Sequence, residues 1–340
     1  MNINSLLPHE IAEGFRGKQV FSWLHKQLVT DFALMTNLPK ADREKLSENF
    51  TILVPKIVKI QKSFDGTKKY LLNFGEDKIE TVLIQDKSGR KTICASTQIG
   101  CPLTCRICAT GKMGFKRNLT ADEIIAQIEL VYRENDGVEN VVFMGMGEPL
   151  LNLENVLKTI EVINHEKGLN IGARKITVST AGIPHKIIEL GSYKKQIRLA
   201  VSLNSPFDEK RSAIMPINKK YPLPLLFSAI KKYIDLSGRR VTFEYVLIRD
   251  FNDRERDVEA LWKLCKDLNV NINLIPLNPT GKSKYAPSSQ KISEWFANQL
   301  KQNGINAVVR RSKGMDILGA CGQLAAKGSG QPPVPPQSRH

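Results

Sequence analysis

In the stretch Cys101-Pro-Leu-Thr-Cys105-Arg-Ile-Cys108, three cysteines fall within eight residues. Three thiolates this close can hold three irons of a [4Fe–4S] cluster, which leaves the fourth iron without a protein ligand. Zinc is the alternative, although zinc sites usually consist of paired Cys-x-x-Cys motifs or of cysteines with histidines at set spacing. The nearest histidine in the sequence is His165. The triplet therefore favours an iron–sulfur cluster and leaves zinc open.

Strands and helices alternate around and beyond this triplet. Strand patterns are predicted at 92–97, 140–144, 175–180, 198–204, 240–248, 271–276 and 307–311. Helical patterns are predicted at 120–134, 153–167, 183–190, 223–236, 253–268 and 291–303. Repeated β–α alternation predicts a parallel sheet with helices outside it, as a barrel or as a doubly wound sheet.

The ends of the chain differ from this central pattern. Residues 1–55 are predicted to form a helical accessory domain, because Val20, Phe21 and Leu24 recur at helical spacing. Residues 56–90 are β-like and predict a small β extension, and residues 91–325 form the core domain. Residues 326–340 are rich in proline and predict a disordered tail.

Composition excludes some classes of protein and suggests a partner. With 41% hydrophobic and 25% charged residues and no run of 18 apolar residues, the chain is not predicted to cross a membrane. No secretory signal is recognised, and six cysteines then indicate a reducing, cytoplasmic location. The net charge is +16, and residues 201–340 hold 22 basic against 12 acidic residues. This surplus suits a nucleic acid and equally a solvated basic surface.

Other residues with chemical potential stand outside the triplet. Gly147 and Glu148 follow a predicted strand, where β/α folds place ligand-binding groups, although a plain tight turn explains the glycine equally well. Cys321 has small neighbours that predict an accessible thiol. Cys94 lies in an apolar strand, where a buried inert thiol is the default, and Cys265 is interpreted as a core residue.

Five separate motifs occur in an order that resembles one family. They are 98–101 (Gln-Ile-Gly-Cys), 108–111 (Cys-Ala-Thr-Gly), 144–150 (Met-Gly-Met-Gly-Glu-Pro-Leu), 215–218 (Met-Pro-Ile-Asn) and 320–324 (Ala-Cys-Gly-Gln-Leu). Together they resemble the RlmN/Cfr family of radical S-adenosylmethionine (radical SAM) RNA adenine methyltransferases. The resemblance implies a partial (β/α)6 TIM-like barrel with a helical N-terminal domain.

The resemblance also implies a set of site residues. Cys101, Cys105 and Cys108 would ligate one [4Fe–4S] cluster. The residues implied to contact SAM are Gly147, Glu148, Ser179, Ser202, Leu203, Asn204 and Asn278. The family usually has histidine where this chain has Asn204, so this contact departs from the pattern.

A methyl relay through two cysteines is implied in the same way. Cys321 would accept a methyl group from one SAM, and a radical generated from a second SAM would activate that methyl for addition to an adenine carbon. Cys94 would then attack Cys321, which releases the methylated base and leaves a disulfide. Glu80 would accept the proton that leaves the base, although the residue alone is equally a polar position in an edge strand.

The implied substrates are adenine 2503 of 23S rRNA and adenine 37 of tRNAs. Pro149 and the Leu150-Leu151-Asn152 run resemble the group that methylates C2, whereas the Cfr-type C8 group typically has alanine after the glutamate. The implied chain is a monomer that receives electrons from a flavodoxin or ferredoxin. Two rivals remain: a radical SAM enzyme acting on a protein or small molecule, and a non-enzymatic zinc or iron–sulfur RNA-binding protein.

Overall fold

The computed structural model describes residues 1–281 and 283–325, and the predicted disordered tail at 326–340 lies outside them. The helices are α1 (Pro8–Ile11), α2 (Gly14–His25), α3 (Lys40–Asn49), α4 (Ala109–Lys112), α5 (Ala121–Arg133), α6 (Leu153–Ile163), α7 (Pro184–Gly191), α8 (Asp208–Ile214), α9 (Leu223–Ser237), α10 (Glu255–Cys265) and α11 (Gln290–Gln302). The strands are β1 (Lys56–Lys62), β2 (Lys68–Phe74), β3 (Asp77–Gln85), β4 (Lys91–Cys94), β5 (Gln98–Gly100), β6 (Phe115–Asn118), β7 (Asn140–Phe143), β8 (Ile176–Thr180), β9 (Arg198–Ser202), β10 (Val241–Leu247), β11 (Val270–Pro276) and β12 (Asn306–Val309).

Ten strands form one mixed sheet in the order β1-β2-β3-β4-β7-β8-β9-β10-β11-β12. From β4 to β12 every neighbouring pair is parallel, and helices α5, α6, α7, α9, α10 and α11 connect successive strands. The predicted α/β class with six β–α units is confirmed. In the part of the chain that the structure describes, the sheet is open between its edges at β1 and β12.

Strand β10 shows why apolar and polar residues alternate along a strand of this parallel sheet. Val241, Phe243, Tyr245 and Leu247 are buried, whereas the residues between them are half-buried. A parallel sheet covered on both faces would carry continuous apolar strands. Here one face packs against the helices, and the other face lines a cavity that contains Glu244.

The N-terminal helices pack on the outside of this sheet structure. Ile3, Val20, Phe21 and Met35 belong to a separate apolar cluster, which Ile125 of α5 joins from the core domain. Within the described residues, no helix is long and apolar enough to span a membrane.

The predicted β extension continues the main sheet. Strands β1, β2 and β3 form an antiparallel meander, and β3 pairs antiparallel with β4. The extension therefore lengthens the sheet beyond β4, the first strand of the parallel core.

The part of the chain that follows β12 reaches back to strands β2 and β3 and is called the C-terminal segment (residues 310–325). The Lys69 ammonium donates to the Leu318 carbonyl at 3.2 Å. The Ala325 N–H donates to the Glu80 carboxylate at 2.8 Å. These contacts attach the end of the described chain, which follows the edge strand β12, to strands β2 and β3 near the opposite edge of the sheet.

Candidate functional site

A cavity opens at the carboxyl ends of the parallel strands, where β/α barrels place their sites. Most of the predicted site residues share its wall: Cys101, Cys105, Cys108, Gly147, Glu148, Ser179, Ser202, Asn204, Asn278 and Cys321. The cavity that these residues line is called the cofactor cavity. Leu203, Cys94 and Glu80 do not line it.

The cysteine triplet lies in a loop closed by the short β5–β6 ribbon. The Cys101 N–H donates to the Gly114 carbonyl at 2.8 Å, and the Arg106 N–H donates to the Ile214 carbonyl at 2.9 Å. Gly100 has φ +74°, and a Cβ there would overlap the Gly114 carbonyl. The loop conformation is therefore fixed by backbone contacts at both ends and in the middle.

The three thiols suit a metal cluster by their chemistry. Cys101 is buried, and burial raises the pKa of its thiol to about 12. Burial, together with the neighbouring Cys108 and Cys101 thiols, also raises the pKa of Cys105 well above its usual value. Bound iron would offset this cost by stabilising the thiolates. Among the described residues, no three His, Cys, Asp or Glu side chains form a group suited to a metal ion. The three thiols line one cavity, and thiolates are the donors that iron–sulfur clusters use, so the donor set fits a cluster by its chemistry.

Glu148 presents a carboxyl group to the same cavity. Its two oxygens accept from the Leu150 N–H at 3.0 Å and the Ala181 N–H at 2.8 Å. Burial raises the pKa of the Glu148 carboxyl to about 7, although these two hydrogen bonds act to lower it. Gly147 has φ +102°, and a Cβ there would lie 2.5 Å from the Gln98 Cβ. The glycine therefore allows close packing of this turn on β5.

The β9 end contributes backbone and amide groups. Asn204 adopts φ +58°, and its side-chain oxygen accepts from the Val246 N–H at 2.9 Å. The Asn204 amide nitrogen lies 3.1 Å from the Met215 sulfur. Leu203 is buried behind the cavity wall, and its N–H donates to the Glu244 carbonyl at 3.0 Å. Asn204 thus holds β9 to β10 as well as lining the cavity.

Cys321 lies where the cofactor cavity meets a second cavity, which extends along the inner face of the sheet. Its carbonyl accepts from the Asn278 amide at 3.0 Å, and the neighbouring Gly322 carbonyl accepts from the Ala109 N–H at 2.7 Å. The side chain is exposed within the cavities. The surrounding protein nevertheless raises the pKa of its thiol to about 11, and Glu244 and Cys108 add to this effect.

Cys94, at the end of β4, lines the second cavity together with Cys321. Both are free thiols. Burial raises the pKa of Cys94 far above its usual value, and the nearby Cys321 raises it further. Two cysteines distant in sequence therefore meet at one cavity.

Glu80 lies apart from both cavities. Its carboxylate forms a buried ion pair with Lys69 at 3.0 Å and accepts from the Ala325 N–H. In this arrangement Glu80 anchors the C-terminal segment, four residues after Cys321.

Two polar residues at the site escaped the sequence interpretation. Glu244 lines both cavities and accepts from the Asn273 amide at 2.8 Å. Arg211 is fully buried, and its guanidinium donates to the Leu203, Ala181 and Ser202 carbonyls. A charge at an inner position of a central strand could have indicated Glu244. No local pattern marks Arg211, because its partners come from separate loops.

Comparison with known proteins places the chain in a family. A model described as the radical SAM superfamily matches residues 96–261, and one described as the ribosomal RNA large subunit methyltransferase N-terminal domain matches residues 10–52. The "Probable dual-specificity RNA methyltransferase RlmN" of Petrotoga mobilis is 49% identical over 333 residues, covering 96% of this chain and 94% of that protein. The chain belongs to the RlmN family of the radical SAM superfamily.

A second relative and a solved structure agree with this assignment. A protein of the same name from Dictyoglomus thermophilum is 47% identical over 317 residues, covering 92% of this chain and 90% of that protein. The crystal structure of a radical SAM methyltransferase from Sphaerobacter thermophilus superposes with a TM-score of 0.92 at 40% identity, covering 96% of this chain and all of that one. Residues 10–52 include α2 and α3, so the N-terminal helices are part of the family's architecture.

Proposed function

We propose that this chain is a radical SAM methyltransferase that methylates C2 of adenine 2503 in 23S rRNA and of adenine 37 in tRNAs. One observation carries the proposal: Cys321 lines the cofactor cavity together with the cysteine triplet and lines the second cavity together with Cys94. A thiol at this junction is suited to receive a group on one side and to deliver it on the other. Membership in the RlmN family supports the same activity.

Cys101, Cys105 and Cys108 would hold one [4Fe–4S] cluster, and SAM would occupy the cofactor cavity. When bound, the cluster and SAM supply the methyl group and the one-electron chemistry that activates it. The Glu148 carboxyl and the polar groups of Ser179, Ser202 and Asn278 provide acceptors and donors along the cavity wall. Because this wall is partly enclosed, hydrogen bonds and charges act there with less screening than in water.

Cys321 would carry the methyl group, and Cys94 would resolve the covalent intermediate. The high pKa of Cys321 keeps it protonated until a proton acceptor or the positive charge of a bound sulfonium favours the thiolate. Attack by the Cys94 sulfur on the Cys321 sulfur would form a disulfide and break the bond between the Cys321 sulfur and the methylene carbon. That carbon would keep the electron pair, take up a proton and become the methyl group of the released base. Because burial raises the pKa of Cys94, its thiol stays protonated and unreactive, and the attack would begin only after that proton is removed.

Glu80 would accept the proton that leaves the adenine. Its carboxylate is ion-paired with Lys69, so this role requires the C-terminal segment to shift when RNA binds. A flavodoxin or ferredoxin would supply electrons, and the enzyme would act as a monomer in the cytoplasm, where its RNA substrates are.

The decisive assay uses the enzyme reconstituted anaerobically with iron and sulfide, SAM and a chemical reductant. RNA stem-loops carrying either adenine are digested to nucleosides and analysed by mass spectrometry against 2-methyladenosine and 8-methyladenosine standards. The expected product is 2-methyladenosine from both RNAs. Formation of 8-methyladenosine would instead assign the Cfr-type activity, and a colourless zinc protein without SAM cleavage would refute radical SAM chemistry.

Replacing Cys94 tests the relay separately. Cys94→Ala should accumulate a covalent protein–RNA adduct, visible as a shifted band on a denaturing gel. Cys265→Ala, another buried cysteine, is the matched control and should release product normally. Normal release by Cys94→Ala would remove the resolving role.

A further inference from the structure

Strand β1 is exposed along almost its entire length, although it belongs to the main sheet. It carries Lys56, Lys59 and Lys62, all exposed, and no acidic residue. The apolar side chains between these lysines remain 37–48% exposed. No helix or strand among the described residues covers this edge, so it offers a free basic and apolar surface.

The turn that joins β1 to β2 ends in an exposed aromatic ring. Phe64 has a relative exposure of 102%, the highest among the large apolar side chains of the described chain. The turn itself is ordered by hydrogen bonds, because the Asp65 carboxylate accepts from the Thr67 N–H at 2.9 Å and the Gly66 N–H donates to the Ser63 carbonyl at 3.2 Å. The turn therefore presents the ring to solvent on a defined backbone.

The same turn is attached to the segment that carries Cys321. The Ser63 hydroxyl donates to the Asp316 carboxylate at 2.6 Å, and the Gly314 N–H donates to the Asp65 carboxylate at 2.9 Å. Arg311 and Lys313, just before these contacts, line the second cavity together with Cys321. Phe64 thus stands beside the segment that borders the cavity of the methyl-carrying thiol.

Several basic residues elsewhere in the chain are engaged by other groups. Arg117 binds the carboxylates of Asp77 and Glu123, and Arg239 donates to backbone carbonyls. Lys56, Lys59 and Lys62 are exposed, and none of them takes part in an ion pair of the described residues. Their charges are available to an external anion.

We propose that β1 and its turn form an RNA-docking surface, on which Lys56, Lys59 and Lys62 contact phosphates and Phe64 stacks on an unpaired base next to the target adenine. The inference rests on the proposed RNA substrate. An exposed aromatic ring flanked by lysines is the combination that binds unpaired nucleotides, because the ring stacks on bases while the cations follow the backbone. The attachment to the C-terminal segment directs the bound strand towards Cys321.

A structural role for the lysines predicts a different behaviour. Lysines on an exposed edge strand also prevent two sheets from pairing edge to edge. In that case their removal would promote self-association and leave the RNA affinity of the monomer unchanged. The two roles are therefore separable by measuring both properties.

The test measures binding of a fluorescein-labelled RNA stem-loop with an unpaired adenine to the reconstituted full chain, by fluorescence anisotropy across a salt series. Phe64→Ala should weaken binding on the order of tenfold without changing the salt dependence, because stacking carries no charge. Lys59→Gln combined with Lys62→Gln should weaken binding and reduce the slope of log K against log salt by about 0.7 for each lost phosphate contact. Lys291→Gln combined with Lys301→Gln, two exposed lysines of α11, is the matched control and should bind as the unmodified chain does.

Each outcome decides a different point. Unchanged affinity and slope in the β1 variants, with or without self-association in size-exclusion chromatography, would overturn the docking surface while leaving the proposed methyltransferase intact. Failure of the unmodified chain to bind any RNA would overturn the proposed substrate and the docking surface together. Thermal melting of each variant confirms that the exposed substitutions leave the fold unchanged.

Discussion

The cysteine loop and the C-terminal segment both deliver thiols to the same cavity, but they are held by different forces. The loop of Cys101, Cys105 and Cys108 is closed by backbone hydrogen bonds to nearby residues and packs against apolar side chains. The C-terminal segment around Cys321 is attached by a backbone hydrogen bond from the Ala109 N–H to the Gly322 carbonyl and, in addition, by charged side chains far away in sequence, namely Lys69, Glu80 and Asp65. The contacts of the loop are mainly backbone and apolar, whereas those of the segment include hydrogen bonds to three charged side chains.

This difference suits the two proposed roles. A cluster needs ligands held at fixed positions, because iron–sulfur distances vary little. A methyl carrier and its RNA adduct need a thiol that can change position as the reaction proceeds. Polar attachments that break individually allow such a movement, whereas an apolar core does not.

The largest effect is expected in the cysteine loop. Cys105→Ala should abolish iron binding and RNA methylation, because a cluster held by two thiolates is not retained. Iron analysis and the visible absorbance of the reconstituted protein measure the first, and nucleoside mass spectrometry measures the second. Cys265→Ala should retain full iron content, and equal iron in both variants would contradict the assignment of the ligands.

At the attachment of the C-terminal segment, Glu80→Gln should lower the free energy of unfolding by about 3–5 kcal/mol, because it leaves the buried Lys69 charge without its counter-ion. Lys69 and Glu80 have side-chain exposures of 5% and 3%. Urea unfolding measures the loss, and faster proteolysis of residues 310–325 locates it. Combining Lys69→Met with Glu80→Leu should recover the stability lost to the unpaired charge, whereas proteolysis of residues 310–325 should stay fast because both hydrogen bonds to the segment are missing. No recovery of stability would show that the unpaired charge is not the cause of the loss.

A pH effect follows from Glu148, beside the cysteine loop. In the cluster-free protein, burial raises the pKa of the Glu148 carboxyl to about 7 from its usual value of 4.5. The folded chain therefore holds a proton that the unfolded chain has released, and stability falls as pH rises through this interval. Relative to Glu148→Gln, the unmodified chain should lose about 3 kcal/mol between pH 4.5 and 7. Parallel stability profiles of the two proteins would contradict a raised pKa.

The smallest effect is expected for the turn before Glu148. Gly147→Ala should cost about 2 kcal/mol of stability, because the position has a positive φ and the added Cβ would meet the Gln98 side chain. Gly172→Ala is the matched control, since a Cβ there meets nothing within 4 Å. Differential scanning fluorimetry compares the two, and equal melting temperatures would show that the turn relaxes freely.

The sequence predicted what is encoded locally. The helix at 223–236 and the strand at 240–248 correspond to α9 (Leu223–Ser237) and β10 (Val241–Leu247), because each has a clear apolar period. The cysteine spacing similarly identified the loop that lines the cofactor cavity. Strands β5 and β6 were not predicted, since segments of three and four residues carry no readable period.

Contacts between distant residues could not be predicted from the residues themselves. The Lys69–Glu80 pair depends on the register of β2 and β3 and on the course of the chain after β12. Resemblance to a family drew attention to Cys94, Cys321 and Glu80, but their surroundings required the structure. The Glu80 carboxylate, for example, lies in an ion pair outside both cavities.

The central claim is that Cys321 carries the methyl group between the two cavities. The most direct measurement is mass spectrometry of the peptide containing Cys321, after the reconstituted protein is incubated with SAM labelled in its methyl group. We expect one labelled methyl group on Cys321 and none on Cys94 or Cys265. An unmodified Cys321 in protein with full iron content would contradict it.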